Sequence, residues 1–304
     1  MNLLNRSFQS IELEGANQIL VQGRMGSGKT TLMRAYADQA IRKHHAVIWR
    51  ARPNRDQWHL LEGERKILVP EDSQVNFSQD IQDQLHEYSG PADLLRKLHG
   101  GLNIVIEPNL TKPWDALFWM SFWRFLNQRK RFTWATMIYD EVKDTFPSQS
   151  YGAYYFIMPQ VSSVFRDMRR SRTEFMSTIH EPRDIHWDWV GKYQTVIYMH
   201  GARRINGRRI KQGLISHLES GHILVELRDE FADVRLNIPD SQYPKSHISY
   251  DLTNPREYHT HLDKRTMEYI EMALGKDIIE EISGGKGKKK GKQSAPAIEL
   301  EESP

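Results

Sequence analysis

The sequence predicts an α/β fold, in which helices flank a central sheet of mostly parallel strands. Short apolar segments typical of buried strands alternate with segments of helical spacing as far as Met199. A glycine-rich loop lies directly after the first of these strands. From Gly221 onward the sequence instead alternates around an acidic turn at Asp229 and Glu230, which predicts a β-hairpin attached to the sheet.

The individual elements are predicted from the spacing of apolar residues. Ile19–Val21 forms the first strand, and residues 31–45 form a helix because Leu32 and Tyr36 recur at helical spacing. A later helix over Pro159–Arg170 has its proline in the first turn, where a missing N–H costs least. The remaining strands are predicted at Ala46–Arg50, Lys66–Val69, Leu102–Ile106, Thr136–Tyr139, Glu174–Thr178 and Thr195–Met199, and the remaining helices at Asp80–His86, Ala92–His99, Pro113–Leu126 and Glu257–Leu274.

Composition narrows the possible classes of protein. Of the 304 residues 39% are hydrophobic, enough for a proper core, and the absence of cysteine excludes disulfides and thiolate metal sites. The net charge of +3 is too small to indicate a nucleic-acid partner by itself. No signal peptide is recognisable, and the most apolar segment, Pro113–Leu126, is too short and too often charged to span a bilayer. We expect a main domain over residues 1–250, a helical segment over 251–283 and a disordered tail over 284–304.

The loop after the first strand carries a phosphate-binding pattern. Gly23 to Thr30 reads G-x-x-x-x-G-K-T, the spacing of a P-loop. Its glycines let successive N–H groups turn inward at the positive end of the following helix, which makes an anion site. Lys29 is expected to reach the β- and γ-phosphates of ATP, and the Thr30 hydroxyl to ligate Mg²⁺. The predicted nucleotide-binding residues are Gly23, Arg24, Met25, Gly26, Ser27, Gly28, Lys29, Thr30 and Thr31.

The alternative for this loop is a glycine-rich turn that binds no ligand. A complete motif between a strand and a helix argues against that alternative. We expect Lys29 to lie on an exposed loop without a structural partner, so that its replacement by alanine leaves the fold intact.

A second apolar strand ends in two acids that complement the P-loop. Its last apolar residues, Ile138 and Tyr139, run directly into Asp140 and Glu141. Asp140 suits the shell of Mg²⁺, either directly or through water. Glu141 projects differently and is expected to orient or deprotonate the attacking water. The alternative is the solvated start of a loop, and the P-loop upstream favours the catalytic interpretation.

These motifs resemble those of RecA-like ATPases of the FtsK/HerA superfamily over roughly Asn17–His200. The resemblance rests on the segments QGRMGSGKTT, TMIYDEVKDTFP and VFRDMRRSRTEFMSTIHEP, and on the extra strand candidate Leu102–Ile106 between the two motifs. That superfamily includes DNA translocases, conjugative coupling ATPases and genome-packaging ATPases of membrane-containing viruses, and the zonula occludens toxin-like ATPases of filamentous phages look similar. The resemblance implies a RecA-like P-loop NTPase core of the additional-strand type.

The resemblance also implies a sensor and an arginine finger. In the superfamily a helix after the acidic motif ends in arginines, and a short strand then carries a polar sensor followed by proline. His180 stands where a glutamine is more usual, and its imidazole can still hydrogen-bond a γ-phosphate or its attacking water. A finger that acts on a neighbour's nucleotide is expected at Arg170 or Arg172, and the alternative is a solvated basic helix end. The segments that match are Arg166, Arg169, Arg170 and Arg172, and then Ser177, Thr178, His180 and Pro182.

Basic residues follow the last predicted strand of the core. Residues 201–213 read GARRINGRRIKQG, and the tail adds a run of lysines. Such a cluster could neutralise DNA phosphates without reading base sequence, and ordinary solvated surface is the alternative. No zinc spacing, helix-turn-helix signature or RNP motif supports base-specific recognition. The predicted DNA contacts are Arg203, Arg204, Arg208, Arg209 and Lys211.

Together these features predict an oligomeric, ATP-driven DNA translocase, in the first place a motor that packages a viral genome. The resemblance implies a homo-oligomeric ring of five or six subunits, a capsid or membrane portal protein as partner, and the host cytoplasm or the virion as its location. The alternatives are a virion-assembly ATPase of the filamentous-phage kind and a conjugative or mobile-element DNA transfer ATPase. A small-molecule phosphotransferase is less favoured, because it has no use for Glu141 beside Asp140.

Overall fold

The computed structural model describes most of the chain between Gln18 and Ser283. The described residues are 18–54, 56–81, 83–110, 112–131, 133–227, 230–235, 246–253 and 262–283. The predicted tail over 284–304, the turn residue Asp229 and residues 257–261 of the predicted final helix lie outside them.

The described strands form one ten-stranded sheet and one two-stranded sheet. The order in the large sheet is β11-β10-β9-β1-β8-β7-β2-β6-β3-β5, and every pair from β9 to β5 is parallel. The hairpin of β10 and β11 continues that sheet in antiparallel pairing, as the alternation after Gly221 predicts. The predicted fold class is therefore confirmed. In chain order the strands are β1 (Gln18–Gln22), β2 (Ala46–Ala51), β3 (Arg65–Pro70), β4 (Gln74–Phe77), β5 (Leu85–Tyr88), β6 (Gly101–Ile106), β7 (Ala135–Tyr139), β8 (Thr173–Ile179), β9 (Thr195–Tyr198), β10 (His222–Leu227), β11 (Glu230–Arg235) and β12 (Tyr250–Thr253).

Helices cover both faces of the large sheet. Along β1, Ile19 and Val21 pack with α1 on one face, whereas Leu20 packs with the aromatic helix α3 on the other. No helix among the described residues is long and apolar enough to cross a membrane. The helices are α1 (Lys29–Arg42), α2 (Pro91–Lys97), α3 (Trp114–Asn127), α4 (Tyr154–Met168), α5 (Trp187–Val190), α6 (Gln212–Ser216), α7 (Lys264–Leu274) and α8 (Lys276–Ile282).

The helix α3 is buried on almost all sides, which accounts for its composition. It packs between α2, α4 and the sheet. The Trp123 ring lies 5.7 Å from the Tyr139 ring and 5.1 Å from the Phe175 ring, measured between centroids. Aromatic packing of this kind stabilises the strands β7 and β8 beneath the loops that follow them.

Two predicted helices are wrong in type or in extent. The helix predicted over Asp80–His86 is not formed, because Leu85–Tyr88 pairs with the open edge of β3 and tertiary pairing overrides the local pattern. The helix predicted from Pro159 begins at Tyr154 instead, so Pro159 lies inside α4. Its missing N–H leaves the carbonyl of Tyr155 without the usual partner in the helix, close to the exposed first turn.

The extra strand between the two nucleotide motifs is a different strand from the one predicted. In the sheet, β8 separates the P-loop strand β1 from the acidic strand β7. The predicted strand Leu102–Ile106 is β6, which lies beyond β2. Sequence order alone gives no strand order, because pairing in a parallel sheet depends on crossovers.

The described segments 246–253 and 262–283 pack against the same core. β12 pairs with β4 in the small sheet, which spacing alone did not predict, and the Tyr250 hydroxyl donates to the carbonyl oxygen of Ala51 at 3.2 Å. In α7, Ile270 is fully buried and the Tyr269 ring lies 5.9 Å from the Phe125 ring.

Candidate active site

Four chain segments meet at the carboxyl edge of the parallel sheet. The P-loop follows β1, Asp140 and Glu141 follow β7, His180 follows β8, and Arg52 follows β2. Because β1, β8, β7 and β2 are adjacent and parallel, their carboxyl ends lie side by side. The topology therefore brings together the predicted phosphate loop, metal ligand, water-activating acid and sensor.

The P-loop backbone requires glycine at specific positions. Gly26 and Gly28 have φ angles of 76° and 92°, in the left-handed region that other residues rarely adopt. At Gly23 a Cβ atom would lie 2.5 Å from Ser27 Oγ and 2.9 Å from Met199 Cβ. The hydroxyl of Ser27 is buried without a hydrogen-bond partner among the described residues. A loop with an unsatisfied buried hydroxyl fits a site that receives phosphate oxygens.

Lys29 is a buried residue with partners, contrary to the expectation of an exposed loop lysine. The residue is only 8% exposed. Its ammonium donates to the carbonyl oxygens of Gly23 at 2.8 Å and Arg24 at 3.1 Å. It also lies 3.1 Å from Nδ1 of His180. Lys29 therefore closes the loop on itself in addition to its predicted role with phosphate.

The electrostatic surroundings of Lys29 act in opposite directions. Burial lowers its pKa, whereas the carboxylates of Asp140 and Glu141 raise it, and the net result is a pKa below the usual value. An additional anion at the loop favours the charged ammonium, because opposite charge offsets the cost of burial.

Asp140 has protein partners on both carboxylate oxygens. Oδ1 accepts from the hydroxyl of Thr178 and, at 3.1 Å, from the backbone N–H of Glu141. Oδ2 accepts from Nη1 of Arg52 at 3.0 Å. A buried arginine, Arg50, donates to the backbone carbonyl oxygen of Asp140 at 3.1 Å. These contacts fix the end of β7.

The carboxylate of Glu141 lies between His180 and Arg52. Oε1 is 2.9 Å from His180 Nε2, and Oε2 accepts from Arg52 Nη2 at 3.0 Å. Burial raises the pKa of Glu141, but the His180 hydrogen bond and the Arg52 charge outweigh it and hold the pKa below its usual value. The backbone of Glu141 has a φ of 47°, a strained conformation of the kind that clusters at functional sites.

Two consecutive hydrogen bonds join the side chains of Lys29, His180 and Glu141. An ammonium can only donate, so His180 Nδ1 accepts from Lys29 and the proton of the ring is assigned to Nε2, which donates to Glu141. These two hydrogen bonds connect the phosphate loop to an ionised carboxylate. Such a carboxylate can accept a proton from water near the end of a bound phosphate chain.

The oxygen donors at this edge fit Mg²⁺. Asp140 supplies a carboxylate and Thr30 a hydroxyl at the start of α1, and hard oxygen donors are what Mg²⁺ prefers. Among the described residues, no group of three or more His, Cys, Asp or Glu side chains is arranged to hold a metal ion. A site with few protein ligands suits Mg²⁺, which usually keeps several waters and binds substrate phosphates.

The predicted finger arginines lie at the opposite edge of the sheet in the same chain. Arg170 and Arg172 precede β8, whose seven residues span roughly 20 Å before His180. Both side chains are exposed, and the Arg172 guanidinium lies 6.0 Å from the centre of the Trp134 ring. Neither arginine is brought to the P-loop of its own chain.

The basic segment after β9 begins at the same edge as the candidate site. Arg203 pairs with Glu181 at 3.2 Å, one residue after His180 in the chain. Arg208 differs from the rest, because its guanidinium donates to the carbonyl oxygens of Val190 and Tyr193 and burial lowers its pKa. The exposed basic residues of the segment are Arg203, Arg204, Arg209 and Lys211.

Sequence reasoning missed two arginines: Arg50, which lies in β2, and Arg52, which directly follows that strand. Arg50 is buried and pairs with Glu107 through two hydrogen bonds of 2.9 and 2.5 Å. Arg52 contacts both acids of the site, and although burial lowers its pKa, Asp140 and Glu141 raise it above the usual value. The available signal was position, since both arginines lie at the carboxyl end of a predicted parallel strand.

Comparison with known proteins shows a shared fold. No protein-family model and no curated protein matches the chain. The genome-packaging NTPase B204 of Sulfolobus turreted icosahedral virus 2, in complex with sulfate, aligns with a TM-score of 0.53 and 11% identity over 74% of this chain and 99% of its own. The structure of the same protein in complex with ATP-gammaS aligns with a TM-score of 0.51 and 12% identity over 74% of this chain and 100% of its own. The DNA-packaging ATPase B204 of Sulfolobus turreted icosahedral virus aligns with a TM-score of 0.50 and 10% identity over 74% of this chain and 100% of its own. The expected resemblance to viral packaging ATPases is confirmed at the level of the fold.

Proposed function

We propose that the chain is an ATPase that binds ATP with Mg²⁺ at the P-loop and uses hydrolysis to move DNA. The observation that carries the proposal is the hydrogen-bonded cluster of Lys29, His180, Glu141 and Asp140 at one sheet edge. The fold shared with a packaging NTPase that was solved with ATP-gammaS supports the choice of nucleotide.

Each residue of the cluster has a distinct task in this proposal. The P-loop N–H groups and Lys29 hold the phosphates. Asp140 and the Thr30 hydroxyl would hold Mg²⁺, which when bound would neutralise negative charge on the phosphates. Glu141 takes a proton from the attacking water, since its lowered pKa keeps it ionised. His180 orients Glu141 and links it to Lys29.

The proposed polymer is DNA, held through its phosphates. The exposed residues Arg203, Arg204, Arg209 and Lys211 continue from the site edge and supply positive charge without a motif for reading bases. The neighbouring fold is that of a genome-packaging NTPase, which favours packaging of a viral genome over virion extrusion or conjugative transfer. A capsid or membrane portal partner, and action in the host cytoplasm or on the virion, belong to the same proposal.

Stimulation of ATP hydrolysis by DNA tests this function. We expect turnover to rise when duplex or single-stranded DNA of any sequence is added, and the rise to weaken with salt because phosphate contacts release counterions. Replacing Arg203, Arg204, Arg209 and Lys211 by glutamine should reduce the stimulation. Neutralising Arg42 and Lys43 at the other end of α1 is the matched control. Turnover unaffected by DNA, with transfer of phosphate to a small acceptor, would favour a phosphotransferase instead.

We propose further that the chain assembles into a ring with shared sites. Large aromatic residues are exposed in the segments that follow β7 and β8, with Tyr151, Tyr155 and Trp187 at 58, 66 and 78%, and large exposed apolar groups mark contact surfaces. The basic end of α4, with Arg170, lies at the other edge of the sheet. A head-to-tail contact between copies joins two different surfaces, as a ring requires.

Mixed assemblies test the trans arginine. Arg170→Ala or Arg172→Ala should bind ATP normally and lose about a thousandfold in turnover, because a trans arginine stabilises charge on the γ-phosphoryl group. Mixing either variant with Lys29→Ala chains, which retain the arginines, should restore part of the ATPase activity. Arg42→Ala is the control for a surface arginine. No recovery in confirmed mixed rings would reduce Arg170 and Arg172 to a basic helix end.

A further inference from the structure

Arg52 is a charged group at the site that has no task in the reaction proposed above. Its Nη1 lies 3.0 Å from Asp140 Oδ2, and its Nη2 lies 3.0 Å from Glu141 Oε2. Asp144 Oδ2 lies 3.6 Å from the same Nη2. The Arg52 side chain is 25% exposed, so these pairs are partly withdrawn from water and weakly screened by salt. One guanidinium therefore faces three carboxylates.

The contacts of Arg52 compete with a metal ion for Asp140. Oδ1 of Asp140 is already engaged by the Thr178 hydroxyl and the Glu141 N–H. Oδ2 is the oxygen on which Arg52 donates. A divalent cation that binds at Oδ2 shares that oxygen with the guanidinium, and the two positive charges repel each other.

The base of Arg52 is fixed, whereas its tip has space to move. Its backbone N–H donates to Oδ2 of buried Asp56 at 2.8 Å. The side chain borders a pocket of about 270 Å³, which is also lined by Asn54, Asn109 and Asp144. The third carboxylate near Arg52 therefore lies on the pocket side and can receive the guanidinium when it leaves Asp140.

We propose that Arg52 holds the place of the divalent cation on Asp140 while it also pairs with Glu141, and that it transfers to Asp144 and the pocket when metal binds with nucleotide. This inference rests on the proposed function. Arg52 is a positioning residue in this role, because its charge keeps two adjacent carboxylates from repelling each other. It also opposes metal binding until nucleotide phosphates supply further ligands. Metal and nucleotide are thus loaded together.

Isothermal titration calorimetry of Mn²⁺ binding to the full chain without nucleotide tests the inference. Mn²⁺ serves as a probe for the oxygen site. We expect Arg52→Ala and Arg52→Gln to bind Mn²⁺ about tenfold or more tightly than the wild-type chain, because the carboxylates lose their competing cation. Arg52→Lys keeps the charge and should stay near the wild-type affinity. Adding Asp140→Asn to Arg52→Gln should abolish the gain.

Arg65→Ala is the matched control. The side chain of Arg65 is 24% exposed, and its guanidinium pairs with Asp83 at 2.5 Å, on β3 rather than at the site. It should leave Mn²⁺ affinity unchanged. Circular dichroism of each variant identifies loss of folding, and the charge-free Gln variant substitutes for Ala if Ala unfolds.

Binding of ATP with Mn²⁺ by the wild-type chain is measured in parallel, so that two failures can be distinguished. If the wild-type chain binds nucleotide but neither charge-free variant gains metal affinity, the role of Arg52 is wrong and the proposed function stands. If the wild-type chain binds no nucleotide, the proposed function itself is wrong.

Discussion

Lys29→Ala is expected to weaken ATP binding by about a hundredfold and to abolish measurable hydrolysis. A charge-assisted hydrogen bond to phosphate contributes about 1.5–3 kcal/mol to binding. The variant removes the ammonium that would donate such a bond, since Lys29 is the cation in the G-K-T sequence of the P-loop. Equilibrium binding of a fluorescent ATP analogue and steady-state phosphate release measure the two effects. Hydrolysis at the parental rate would show that the P-loop interpretation is wrong.

The same variant is also expected to lower stability, since Lys29 holds its own loop closed. Its removal leaves the carbonyl oxygens of Gly23 and Arg24 without that donor, a loss of about 1–3 kcal/mol if water does not replace it. Thermal unfolding without nucleotide measures this cost. Lys66→Ala is the matched control, because Lys66 donates to the carbonyl oxygen of Lys97 at 3.1 Å on a strand that does not reach the site.

Glu141→Gln is expected to preserve ATP binding and to slow hydrolysis by about 10²–10⁴-fold. The amide keeps the length of the side chain and can still accept from Arg52, but it cannot take a proton from water. Asp140→Asn should act differently, with weaker Mg²⁺-dependent binding, because it removes charge from a metal ligand.

A nearby glutamate provides the control for Glu141→Gln. Glu181 lies one residue after His180 and pairs with Arg203 at 3.2 Å, and no contact joins its carboxylate to Lys29 or His180 among the described residues. Glu181→Gln should therefore hydrolyse ATP at nearly the parental rate without DNA. Equal losses in both variants would indicate a general effect of charge at this edge rather than a catalytic base.

The local parts of the site could be predicted from the sequence. The P-loop is a contiguous motif whose glycines are required by backbone geometry at Gly26 and Gly28. Asp140 and Glu141 follow an apolar strand directly, and carboxyl ends of parallel strands share an edge of the sheet. Each inference needs only neighbouring residues and one general rule of topology.

The non-local parts could not be predicted, because they depend on strand order and burial. The position of β8 between β1 and β7 places His180 between Lys29 and Glu141, and the sequence does not encode that order in any local pattern. The burial of Lys29 and the hydrogen bonds from Arg52 to Asp140 and Glu141 also depend on this packing. Local propensity also misassigned β5, which forms by pairing with β3.

A single-turnover measurement with labelled ATP tests most directly whether one site binds nucleotide through Lys29 and hydrolyses it through Glu141. Chains in excess over ATP are quenched at intervals, and bound ATP and ADP are separated. We predict that the wild-type chain converts bound ATP to ADP, that Glu141→Gln retains ATP intact, and that Lys29→Ala binds almost none. Formation of ADP by Glu141→Gln at the wild-type rate, or tight binding of ATP by Lys29→Ala, would contradict this division of roles.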